Sequence, residues 1–399
     1  MIFSWINFLY RPWVMFFVSI LVCVGVLTIE RFLGIEWNFH PDANTYFVLS
    51  SEVSQNIKEV FLGYKVYWEP LDSAMKTLFE KPEDPSGYRS FLEINTNLDS
   101  MLKGVSALKG ALFYVIVDLF DSDIRFLIIL NIFIYSITNS AITIFFKNNC
   151  NLKSHKYLGL LFLLVIFNPY RAHLSVHVLK DTLIIASLVF FTLNKTKASS
   201  IIFFIVGAFL RNGWIIYFFS FINFKALVSR LKEKSSSLNK NKFLLLTVLA
   251  LSGYLIWFID RNWGTITHVI TETLGDMTFR SFDSVPSFHE LGILGSIIRS
   301  ILWPILYLTG AFIFLSPTIF YFPIAIGSFC LNLWIIKHFK NLRSLIPAIL
   351  SVYLSMAILA FIVSGFTSFI RYCLPLIAIL PILLINEENR QTKEIKTKN

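Results

Sequence analysis

The chain has 399 residues, of which 55% are hydrophobic and only 15% charged, with a mean hydropathy of +0.66 and a net charge of +10. Soluble domains carry about 25% charged residues, so the composition excludes an ordinary soluble domain and points to a polytopic membrane protein. The basic balance is no nucleic-acid signal either, because no basic stripe with interleaved aromatic residues lies on a soluble face.

Spanning segments must satisfy every backbone group internally, and the apolar runs here are continuous rather than alternating, so the expected fold is all-α. The first run, Trp13 to Gly34, exceeds a signal-peptide core and leads into Glu36-Trp37-Asn38 instead of a small-residue cleavage site. It reads as a retained first helix. About ten spans fit the runs, near 13–34, 124–146, 157–168, 182–194, 198–210, 213–224, 243–259, 310–336, 344–364 and 372–386. Cations collect in alternate connections, from Arg11 through Lys147, Lys195, Lys232 and Lys340 to Arg390, which places both termini inside.

Residues 1–386 then form a single membrane domain and 387–399 a polar, disordered cytoplasmic tail. Two outer segments are long, roughly 35–123 and 260–309; the piece Leu291–Leu308 within the second, carrying Arg299 and Pro304, reads as a re-entrant or interfacial helix. Cys23, Cys150, Cys330 and Cys373 suggest neither a disulfide framework nor a CxxC metal pair.

Candidate chemistry lies on the outer side. After the first helix comes His40-Pro41-Asp42-Ala43-Asn44-Thr45-Tyr46, where Asp42 is either a partner for a helix N-terminus behind Pro41 or a general base that takes a proton from an acceptor hydroxyl. The stretch Asn168–Asp181, between apolar runs, carries Arg171, His173, His177, Lys180 and Asp181. Ionisable groups at membrane depth cost a few kcal/mol each, roughly, and are kept there for a use.

If that stretch is helical, His173, His177 and Lys180 share one face, suited to a phosphate or diphosphate; Asp181 begins the next span and is a candidate carboxylate with Lys180 as its neighbour. A two-histidine zinc site is possible by spacing, but no third ligand is specified, and the expected site holds neither metal nor cofactor. Arg211, in Arg211-Asn212-Gly213, is a snorkelling cation or a substrate ligand. Arg280, Glu290 with Asp283, Arg299, and Arg371-Tyr372 complete the candidates, Glu290 being a second carboxylate for acid–base work. No Walker-type loop and no GxGxxG is present.

With Asp42 and Tyr46 after the first span, Lys180-Asp181 after Asn168-Pro169, the Arg211-Asn212-Gly213 turn, and Arg371-Tyr372 with Pro375, the chain resembles bacterial GT-C type lipid-linked glycan enzymes and the O-antigen repeat-unit polymerases of the Wzy type. The resemblance implies a glycosyltransferase of the bacterial inner membrane. It would act at the outer face on polyprenyl-diphosphate-linked glycan, in contact with membrane lipid and a possible chain-length regulator. Asp42 would match the first-loop catalytic acid of GT-C enzymes, and the outer arginines those of polymerases. The size and the absence of a C-terminal soluble domain favour a polymerase; the long acidic first loop is closer to a single-sugar GT-C transferase. A flippase or other transporter is the non-enzyme alternative, for which charges should spread through the midplane and the halves should echo each other.

Overall fold

Pro12 opens helix α1, Pro12–Phe32, at the first position, where its missing N–H leaves no bond unmade. Next come α2, Ile124–Asn149; a short α3, Pro169–Ser175; α4, Asp181–Asn194; and α5, Ser199–Leu210. A 3-10 helix, Trp214–Phe221, follows, then α6, Gly292–Thr309; a 3-10 turn, Ala311–Phe314; α7, Tyr321–His338; α8, Leu342–Ile362; and α9, Phe366–Lys396. The computed structural model describes residues 8, 11–35, 46, 50, 112–120, 124–149, 168–194, 198–211, 214–221, 285, 288, 292–315, 321–338, 342–363 and 365–396. Among them every regular element is helical.

Among the described residues, three helical stretches are long and apolar enough to cross a membrane: Pro12–Phe32, Ile124–Asn149 and Phe366–Glu387. The apolar helices Asp181–Asn194, Ser199–Leu210, Leu294–Thr309 and Ile346–Ile362 are shorter. The expected span 243–259 and all but Asn168 of the expected span 157–168 lie outside the described residues, as does most of the long segment 35–123.

The described residues fall into two compact units, one drawn from Met1–Ile215 with Ile377–Ile385 and the other from Ile216–Leu376 with Asn386–Asn399. In the first unit, α1 packs on α2, α2 on α4, and α4 on α5, while α3 is held against α1, α2 and α4. Several of their buried hydroxyls are satisfied within their own helices: Ser19 donates to the Met15 carbonyl at 2.7 Å, Thr143 to Asn139 at 2.7 Å and Thr192 to Leu188 at 2.6 Å. Such back-bonding lets small polar residues sit in apolar surroundings without water. Asn139 also donates across the α1–α2 contact to the Ser19 hydroxyl at 3.0 Å.

In the second unit α6 packs on α7 and α8. Its core is aromatic: Trp303 lies 5.4 Å from Phe366 and 5.5 Å from Phe369, and Tyr307 lies 6.1 Å from Phe369 between ring centroids. The Tyr217 hydroxyl donates to the Tyr372 carbonyl at 3.0 Å, and Ser351 to the Ser220 carbonyl at 3.0 Å, fixing the 3-10 helix to α9 and α8.

Four expected elements are corrected. The run 213–224 is a 3-10 helix over Trp214–Phe221 where the described backbone begins again. The run 310–336 holds a 3-10 turn, Ala311–Phe314, and then α7, which begins at Tyr321; Gly310, at φ 73°, separates the turn from α6, and a Cβ there would stand 2.4 Å from the Ala325 carbonyl oxygen, so only glycine fits both the angle and the approach of α7. The last helix begins at Phe366, placing Arg371 and Tyr372 inside it instead of at its start. It also continues to Lys396 through the polar tail expected to be disordered. Residues 386–396, Asn-Glu-Glu-Asn-Arg-Gln-Thr-Lys-Glu-Ile-Lys, hold no glycine or proline and are rich in good helix formers.

Candidate functional site

The first unit buries an unusual set of charges. Glu30, Arg171, His173, His177, Asp181 and Arg211 are each below a tenth exposed, and Lys180 is half-buried. The local sequence explains how α3 presents its share. Asn168 accepts a hydrogen bond from the Tyr170 N–H at 2.9 Å, an N-cap, and Pro169 occupies the first turn. The helix lasts only to Ser175, with the Val176 N–H closing on the His173 carbonyl at 3.2 Å.

His177 and Lys180 therefore lie beyond the helix and not on one continuous face with His173, as expected from spacing. The turn brings the two imidazoles together nonetheless, their ring centroids 4.6 Å apart. Asn131 of α2 holds this turn, its side-chain amide donating to the carbonyls of His177 at 2.9 Å and Leu179 at 3.2 Å. Thr182 of α4 ties back to the Ser175 hydroxyl at 3.3 Å.

Both imidazoles meet one carboxylate. His173 Nδ1 is 2.6 Å from Glu30 Oε1, and His177 Nε2 is 2.9 Å from Glu30 Oε2. Glu30 stands in the last turn of α1, where the helix dipole disfavours a negative charge, so its partners and not the helix hold it there. The three side chains are a group able to hold a metal ion.

Asp181, the first residue of α4, is bonded to Arg211 at the C-cap of α5, with guanidinium Nη2 and carboxylate Oδ1 2.7 Å apart. Helix α5 is close-packed near this contact at Gly207: the Trp214 indole lies 2.4 Å from where a Cβ would be, so only glycine leaves room for the ring. Lys180 places its ammonium 5.2 Å from the centre of the Tyr46 ring, which itself packs on Phe113 and Tyr114. Tyr46 follows Asp42 by four positions, so part of the first outer segment reaches the 168–181 stretch.

Arg171 lies over the Tyr135 ring, 5.0 Å from its centre. Burial pushes its guanidinium below the usual range. Arg299 and Arg371-Tyr372 belong to the second unit. Arg299 donates to the carbonyls of Ala360 at 3.2 Å and Phe361 at 3.3 Å and to the Ser296 hydroxyl at 2.9 Å. It thus complements the C-terminal end of α8, a structural task for a cation. Asp42, Arg280 and Glu290 lie outside the described residues.

Sequence reasoning missed Glu30 and Asn131. Both carried a signal: each is a strongly polar residue inside an otherwise apolar span, and Glu30 sits at the helix end that least favours it. No protein-family model, curated protein or solved structure matches the chain.

Proposed function

We propose that the protein is a multi-pass glycosyltransferase of the polysaccharide-polymerase type in a bacterial inner membrane. It joins polyprenyl-diphosphate-linked repeat units at the outer face. The observation that carries this reading is the buried charge set around residues 168–181, packed among apolar helices and next to Tyr46 of the first outer segment. Charges at such a place are costly and are kept for ionic substrates or proton transfer. Apolar residues on the exterior of α1 and α2, among them Phe17, Leu21, Ile129 and Phe133, suit contact with lipid.

In the reaction a hydroxyl of the non-reducing sugar of one lipid-linked unit attacks the anomeric carbon of another. A glycosidic C–O bond forms, the C–O bond to the diphosphate breaks, and the polyprenyl diphosphate leaves with the electron pair. Lys180, at the edge of the buried set, and the outer arginines neutralise the diphosphate as its charge grows. Asp42 takes the hydroxyl proton as general base. Asp181 acts through Arg211, which it orients at 2.7 Å.

Deletion of the gene in a glycan-producing host tests the reading. Electrophoresis of the lipopolysaccharide should show the ladder lost and a single repeat retained. A missing or truncated first repeat would point to a single-sugar transferase instead, and an unchanged ladder would rule out both.

A further inference from the structure

Glu30, His173 and His177 come from two distant parts of the chain, α1 and the α3 turn, and meet where 7%, 6% and 1% of their surfaces remain exposed. Their ligand atoms all lie within 4.8 Å of one another. Each imidazole directs one nitrogen at a different oxygen of the same carboxylate, Nδ1 of His173 at 2.6 Å and Nε2 of His177 at 2.9 Å. Bonds of about 2.0–2.2 Å to a tetrahedral ion place neighbouring donors about 3.3 Å apart. Binding an ion therefore parts the carboxylate oxygens from the imidazole nitrogens, which stand 2.6 and 2.9 Å away.

The donor types narrow the ion. Magnesium and calcium take oxygen ligands, whereas two imidazoles with one carboxylate suit zinc or, as a facial set, ferrous iron. The surroundings hold the segment that carries the imidazoles: Asn131 fixes the main chain at the His177 carbonyl at 2.9 Å, and the Tyr170 ring stacks on His173 at 5.9 Å.

We infer that Glu30, His173 and His177 bind one divalent transition-metal ion, zinc or ferrous iron, between the end of α1 and the α3 turn. Ionised Glu30 and two neutral imidazoles leave the loaded site at +1, in place of a buried carboxylate's −1. Three protein ligands, the number found among the described residues, is also the count of sites that keep a position for water or a substrate oxygen. An anionic oxygen, such as a phosphate oxygen, would be drawn to that position. The metal site does not depend on the transfer reaction proposed above, and its test is independent of activity.

The full chain, purified in detergent through an affinity tag without histidines and dialysed after exposure to zinc or ferrous ion, should retain about one metal per chain by mass spectrometry. The element retained decides between zinc and iron. Glu30→Gln and the double variant His173→Ala/His177→Ala should retain less than about a tenth of that, and Cys23→Ser should retain it all. X-ray absorption of the wild-type protein keeps the test valid if the variants fail to fold; it should show only nitrogen and oxygen neighbours with imidazole scattering. A wild-type chain without stoichiometric metal, a sulfur neighbour, or a double variant that holds its metal would overturn the inference.

Discussion

The Asp181–Arg211 contact is where a single side chain most affects the molecule. Both partners are almost fully buried, so removing one strands the other's charge, a loss of about 3–5 kcal/mol. Arg211→Ala should therefore lower the thermal midpoint of the purified protein as well as its activity. Replacing both residues together by Asp181→Leu and Arg211→Met should recover most of the stability and none of the activity, as read by thermal denaturation beside a glycan assay. Full activity in the double variant would leave the pair a purely structural role. Part of this was legible beforehand: Arg171, His173, His177, Lys180 and Asp181 stand out because each is ionisable between apolar runs. The pairings were not, since Glu30 is 143 positions from His173 and Arg211 is 30 from Asp181, and spacing along one segment says nothing of contacts made by folding.

At the scale of elements, the site depends on a turn that has little structure of its own. Helix α3 has 7 residues, too few to be stable alone, and the chain from Val176 to Lys180 is held by Asn131 from a different helix. Asn131→Leu removes a buried donor from two carbonyls and should cost about 1–3 kcal/mol per carbonyl left unpaired. It should also weaken metal retention by the imidazoles, measured on the same sample. Gly207→Ala drives a methyl into the Trp214 indole and should destabilise by about 1–3 kcal/mol, with the Asp181–Arg211 contact disturbed because both adjoin the end of α5. A thermal midpoint equal to wild type would show that the indole moves aside freely. Helix α1 was legible almost to its ends because a long apolar run marks it; the 3-10 turn at Ala311–Phe314 was not, because Ala-Phe-Ile-Phe is as apolar as the span it was read into and only the backbone shows the turn.

For the whole molecule, composition established the helical class, and three helices long and apolar enough to cross a membrane agree with it. The expected orientation rests on alternate clustering of lysine and arginine, a property of loops that packing does not report. The proposed outer-face reaction requires the first segment outside and the C-terminus inside, so alkaline phosphatase joined after Ile35 should be active, and a green fluorescent protein joined after Lys396 should fluoresce. The reverse pattern would put the buried charge set at the inner face and remove the outer-face reaction with it.

The central claim, polymerisation of lipid-linked repeats, is tested most directly by reconstitution. The purified chain in phospholipid vesicles would be given a single polyprenyl-diphosphate-linked repeat unit, and the lipid-linked products weighed by mass spectrometry. The account predicts products of two and more repeats with release of one polyprenyl diphosphate for each linkage formed, and none of either with Asp42→Asn. Substrate recovered unchanged with wild-type protein, or extended by one sugar only when a polyprenyl-phosphate sugar is added, would contradict it.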